Sequence, residues 1–201
     1  MIKLNFYYLK LIIVCIFFIP LFALGKVISQ SYAFKDYDEA YESPIFLKFD
    51  MESTKLGLIT TDFTGFVKNF SVTGDVQKNI AKKITLSFLI KNMDTDSDGR
   101  NEKMWEYCLD FKNHPEIILN SKNPITLNEG QQTVPLWINL RGKKFPIDMD
   151  IKLKKEANQI LATGNAKAFI SKLEIPDPSI AIAEVNDLIK ISFHFPIKYE
   201  K

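Results

Sequence analysis

From Tyr41 to the end of the chain, apolar and polar residues exchange places at every second position, and no other feature restricts the fold as tightly. Successive side chains of an extended strand point to opposite faces, so a period of two marks a strand with one buried and one solvated face. Ile45, Leu47 and Phe49 alternate with Lys48 and Asp50, and Ile84, Leu86, Phe88 and Ile90 with Lys83, Thr85 and Ser87. Ile117 and Leu119 follow Pro115, then Leu136, Ile138 and Leu140, then Phe145, Ile147, Met149, Ile151 and Leu153 against Asp148, Asp150 and Lys152. A face of small residues, Ala162, Gly164, Ala166 and Ala168, precedes a last run of Ile189, Ile191, Phe193 and Phe195 against Lys190, Ser192 and His194. Turn signals separate the runs: Asn123-Pro124, Asn128-Glu129-Gly130, Arg141-Gly142, Pro176-Asp177-Pro178 and Asn186-Asp187. Between Lys55 and Asp75 the alternation is irregular and carries Gly57, Gly65 and Gly74, which predicts bent or bulged strands. The expectation is an all-β, antiparallel barrel of about eight strands, the number at which a closed barrel can still hold one small ligand.

One segment departs from the strand pattern. Between Arg100 and Phe111, Met104, Trp105, Cys108 and Leu109 recur at helical spacing, with Glu102, Lys103 and Glu106 on the other side. This predicts one short amphipathic helix over about 100–111, with Ser97 or Asp98 as its N-cap.

The amino terminus reads as a leader. Lys3 and Lys10 precede the apolar run Leu11 to Leu24, which is interrupted by Pro20 and is shorter than the about 20 residues a membrane span needs. Residues 1–25 are therefore expected to be a signal peptide, cleaved between about 25 and 33, with Ala23-Leu24-Gly25 and Ser31-Tyr32-Ala33 as candidate sites; an uncleaved anchor is the rival reading. Either places the folded part, 34–201, outside the cytoplasm, periplasmic or secreted. Removing Lys3 and Lys10 from the 26 basic residues leaves 24, equal to the 24 acidic ones. With this neutral balance and Arg100 and Arg141 as its only arginines, the chain has no basic surface suited to nucleic acid. Cys15 falls inside the apolar run, so Cys108 is left without a disulfide partner and is expected to be a packed thiol.

The stretch Met93 to Pro115, MDTDSDGRNEKMWEYCLDFKNHP, resembles the hallmark of the YceI-like family of polyisoprenoid-binding, lipocalin-like proteins. Asp94-Thr95 matches the family's Ser-Ile-Asp-Thr turn, Arg100 and Met104 the arginine and leucine of its helix, Leu109-Asp110-Phe111 its Phe-Asp-Val, and Pro115 its proline, with one residue deleted inside the helix. Ile138-Asn139-Leu140-Arg141-Gly142 with Phe145-Pro146 is similar to the family's hairpin, and Asn186 to Ile191 to its last strand. Lys103 and His114 stand where the family often has histidine and tyrosine. The resemblance implies a barrel, 34–201, that shelters an isoprenoid or another long-chain amphiphile, meets membranes only to exchange it, and needs no cofactor. Whether two barrels pair as a homodimer is left open.

Phe49, Phe63, Phe88, Ile117, Ile138, Met149, Ala166 and Phe193 are the candidate lining of the apolar cavity, with the small-residue face leaving volume inside. A filled core has the same periodicity, and that alternative is a calcium-stabilised or structural interaction module with a filled barrel. Asp94, Asp96 and Asp98 with Gly99 form the first half of a calcium loop, whose twelfth position is Trp105 where a bidentate Glu belongs, so a solvated acidic turn is the simpler reading. His114 and His194 lie in no nucleophile or zinc motif, so no catalytic residue is expected.

Overall fold

The computed structural model describes residues 26–157 and 159–198, so the leader lies outside the described residues. The predicted alternation appears as antiparallel strands: β1 (Lys26–Ala33), β2 (Phe46–Lys55), β3 (Ile59–Val67), β4 (Asn69–Gln77), β5 (Ile80–Leu89), β6 (Met93–Asp94), β7 (Glu116–Ser121), β8 (Ile125–Thr126), β9 (Gly130–Leu140), β10 (Lys143–Glu156), β11 (Gln159–Phe169), β12 (Ala183–Val185) and β13 (Leu188–Lys198). They form one curled sheet in the order β1-β4-β5-β7-β9-β10-β11-β13-β2-β3-β6, with β12 added to β2 and β8 to β5.

The expected eight strands become thirteen among the described residues, for physical reasons that leave the eight staves in place. Phe63, Gly65 and Val67 belong to the inward set of β3, and Phe70, Val72, Gly74 and Val76 to that of β4. The inward set slips by one residue at Lys68 and Asn69, which bends the chain and splits one long stave into β3 and β4. Its first half pairs with β2 and its second with β5, so the chain itself closes the ring of β2, β3/β4, β5, β7, β9, β10, β11 and β13. A second irregularity falls between Thr73 and Asp75, within the segment whose glycines predicted it. The remaining extra strands are the short β6, β8 and β12, together with β1.

No strand was expected at 26–33, yet β1 pairs with β4 along its whole length, from Lys26 opposite Val76 to Ala33 opposite Asn69. It fills the wedge beside the end of β13: Ile28 is fully buried, Tyr32 stacks on Phe70 with ring centroids 4.7 Å apart, and its hydroxyl donates to Pro196 O. Burial pushes that phenol up to about 12.

Helix α1 (Tyr37–Glu42) follows β1, begun by Asp36, whose carboxylate accepts from Glu39 N. Tyr37 and Tyr41 pack edge-on against Phe66, the one buried β3 side chain on the outer face. The predicted 100–111 helix is shorter and starts earlier. It is α2 (Asp98–Lys103), N-capped at Ser97, and it continues as a π-helical turn over Met104–Cys108. The chain leaves the helical path at Asp110, whose φ is 53°, before it could reach 111. As the spacing predicted, Cys108 and Leu109 are buried and Met104 and Trp105 half-buried against the core.

Candidate functional site

The inward faces of the staves do not meet. They enclose a cavity of about 560 Å³, where close-packed protein interiors leave few voids larger than a water molecule. The wall is carbon almost throughout. Phe49, Phe63, Phe88, Ile117, Ile138, Met149 and Phe193 all line the cavity. Ala166 is buried but does not reach it, whereas Ala162 does.

The small-residue face works differently from the expectation. An added Cβ at Gly164 would sit 2.3 Å from the ring of Phe193, its cross-strand partner, and one at Gly65 would sit 2.2 Å from the ring of Phe49, likewise its partner. Each glycine is a seat for a phenyl ring laid against the wall. The volume the glycines release is taken by Phe49 and Phe193, and this keeps those two rings from projecting across the lumen.

Polar lining gathers where α2 and the 176–182 loop meet the end of β2. Ser53, Lys55, Thr95, Arg100 and Lys103 contribute there, Lys48 reaches the wall near the start of β2, and no Asp or Glu is among the described lining residues. The Arg100 guanidinium lies 4.2 Å from the centroid of the Phe63 ring, and its Nη1 donates to Thr95 O at 3.1 Å. Lys103 Nζ donates to Ser179 O at 3.1 Å, tying the helix to the loop across this mouth. Farther along β13 the lumen runs into stacked aromatics, Phe193 on Phe195 at 4.7 Å and Phe195 against Phe70 and Tyr32. The site can therefore hold one apolar chain, with a polar group at the cationic end. The loop residues Ile175, Pro178 and Ile180, with Ala183 and Val185 of the short β12, complete the mouth; the loop carries no periodicity, so alternation could not have found it.

The Asp94-Thr95 turn owes its form to Asn101. The Asn101 side chain is buried; its Oδ1 accepts from Thr95 N at 2.8 Å and Thr95 Oγ1 at 2.7 Å, and its Nδ2 donates to Asp94 Oδ1 at 2.8 Å. Asp94 also faces Lys68 Nζ at 2.9 Å. Burial opposes its ionisation, but the hydrogen bonds from Lys68, Asn101 and the Asp96 amide outweigh it and hold the carboxyl below its usual range. Its folded value lies below its unfolded one, so this stabilisation is present above the unfolded carboxylate range and is lost as pH falls through the lower folded value. Asp94 thus serves the chain itself. Among the described residues no group of three or more His, Cys, Asp or Glu side chains is placed to hold a metal ion.

Asn101→Ala strips an acceptor from two buried donors, an expected loss of roughly 2–4 kcal/mol. For a chain of this size that lowers the melting temperature by roughly 5–15 °C. A calorimetric melt unchanged from the parent would show that the turn does not depend on Asn101.

The other singled-out polar residues have structural surroundings. His194 Nδ1 is 2.9 Å from Thr163 Oγ1 and its ring stacks on Phe46; His114 lies over Gly142 and 3.9 Å from Asp110. Burial pushes the Cys108 thiol up, which keeps it protonated and poorly nucleophilic.

The same architecture recurs in solved structures. Burkholderia cenocepacia BcnA superposes with a TM-score of 0.60 at 15% identity, over 75% of this chain and 95% of that one. A polyisoprenoid binding domain from Saccharophagus degradans gives 0.59 at 13% identity, over 77% and 94%, and Campylobacter jejuni YCEI protein gives 0.60 at 16% identity, over 84% and 99%. No curated protein matches the chain. The YceI-like domain family matches residues 45–197, which runs from the start of the first stave to the end of the last and takes in the Asp94-Thr95 turn, α2 and the lumen. This chain belongs to the YceI-like domain family.

Proposed function

We propose that this protein is an exported carrier that binds the chain of an isoprenoid, or of another long amphiphile, in its lumen and leaves the headgroup at the Arg100–Lys103 mouth. The observation that carries this reading is the cavity itself: about 560 Å³, lined almost throughout by carbon, with most of its few polar groups at one end. That size lies within the range of ligand pockets, and a few convergent polar groups on an apolar wall are what orient a ligand. Transfer of an apolar chain from water into such a wall is favourable by about 25 cal/mol per Å² of surface buried. The likeness to a polyisoprenoid binding domain supports the same class of cargo. Export rests on the leader pattern of residues 1–25, and the protein is read as periplasmic or secreted.

Native mass spectrometry of the protein recovered from its own cells, followed by organic extraction, tests the reading. A stoichiometric isoprenoid or fatty amphiphile is expected. A ligand-free mass that persists after geranylgeraniol is added back would overturn the carrier reading in favour of a structural module.

A further inference from the structure

The β2–β3 hairpin turns through Lys55-Leu56-Gly57-Leu58. Leu58 N donates to Lys55 O at 3.0 Å, and φ is 51° at Leu56 and 67° at Gly57, a β-turn with both central residues left-handed, in a loop of three residues between the paired Lys55 and Ile59. Asn, Asp or Gly suit the first of these positions, because a bulky side chain there is strained. Leu56 gains nothing from the core in return. It is 72% exposed, and its neighbours Leu58 and Ile59 are 87% and 59% exposed. Leu56 N also donates to Ile182 O at 3.0 Å, which joins the hairpin to the 176–182 loop, where Ile180 and Ile182 are likewise exposed. Two other hairpins turn at Lys78-Asn79 and Arg141-Gly142 and present polar or charged tips. Five large aliphatic side chains are thus assembled on one tip and left in water.

That tip is the rim of the lumen. Lys55 and Ile180 line the cavity themselves, and the other charged side chains of this mouth are the cations Arg100 and Lys103. Carboxylates flank the mouth without lining it: Glu184 stands opposite Thr54, Asp62 opposite Glu52, and Asp177 of the loop lies near Lys103. Exposed aliphatic residues flanked by lysine suit a bilayer interface: the apolar side chains enter the acyl boundary while the lysine stem lies along it and the ammonium meets lipid phosphate.

We propose that Leu56, Leu58, Ile59, Ile180 and Ile182 form a docking surface for an anionic bilayer, seating the mouth of the lumen on the acyl layer. The surface deepens the carrier reading and rests on it: an apolar chain then passes between bilayer and lumen without crossing water. It accounts for a leucine at a strained, solvent-facing turn position, and for an opening lined by Lys55, Arg100 and Lys103 with no carboxylate among its described lining residues.

The test is flotation of the protein, expressed with its own leader and recovered from the soluble fraction, with phosphatidylethanolamine–phosphatidylglycerol vesicles that contain no isoprenoid. The comparison is Leu56→Asn together with Leu58→Thr. Asparagine suits the left-handed turn position, so this variant keeps the hairpin, and its melting temperature verifies that. The parent is expected to float with the vesicles and the variant to bind at least about tenfold more weakly, while both take up geranylgeraniol equally in free solution. Equal flotation of parent and variant would overturn the docking surface, as would a parent that takes up geranylgeraniol but never floats; in neither case does the carrier reading fall. A parent that takes up no geranylgeraniol sinks the carrier reading whatever floats. A parent that is dimeric where the variant is monomeric would assign the patch to a second copy of the chain and overturn the bilayer as its occupant.

Discussion

Val134→Phe is expected to weaken the binding of an isoprenoid chain by roughly fiftyfold while the barrel stays folded. Val134 is buried, lines the lumen and stands opposite Met149 across β9 and β10. A phenyl ring built there enters the cavity and displaces about three methylenes of a bound chain, each contributing about 0.8 kcal/mol. The same substitution separates an open lumen from a filled one. In a close-packed core an inserted ring forces neighbours off their rotamers at a cost of about 1–3 kcal/mol. In an open lumen it meets space, and the melting temperature holds or rises. Titration with geranylgeraniol, alongside a thermal melt, reads both quantities. Lost stability with unchanged binding would place the ligand elsewhere.

Strand alternation carried the fold a long way, because burial on one face of a sheet leaves a period-two record wherever the other face meets water. The eight staves, the bend in 55–75 and the inward face of the named residues follow from that record. What it could not hold is anything that depends on which strands become neighbours. Gly65 reads as a bend in the sequence, and Gly164 as a gap in a small-residue face; only the register, Gly65 opposite Phe49 and Gly164 opposite Phe193, shows them to be seats for rings. For the same reason an apolar run cannot tell a lumen from a packed core, since both need the same side chains. The mouth was hidden because Ile175, Pro178 and Ile180 lie in a loop without periodicity. Asn101 was hidden because a buried amide in a polar helix turn looks like any solvated one until its three hydrogen bonds are seen.

β1 was hidden for another reason, and it carries the other large prediction: a chain beginning at Phe34 is expected to melt at least about 10 °C below one beginning at Lys26 and to aggregate on heating. The run 26–33 follows directly on the proposed leader, where Ser31-Tyr32-Ala33 competes with Ala23-Leu24-Gly25 as the point of cleavage. Cleavage at the later point would remove β1. With it would go Ile28, fully buried, and the Tyr32 ring packed between Phe70 and Phe195. Burial of one large apolar side chain contributes about 1.5–3 kcal/mol, and aromatic packing adds about 0.5–1.5 kcal/mol beyond that. Several kcal/mol is a large share of the 5–15 kcal/mol that holds a typical domain together. The backbone suffers as well: β4, paired along its length with β1, would become a bare edge able to recruit strands from other copies. The physics therefore favours processing at the earlier site. If the proposed leader is removed, amino-terminal sequencing of the protein recovered from its own cells should begin near Lys26, and equal melting of the two chains would show β1 to be dispensable.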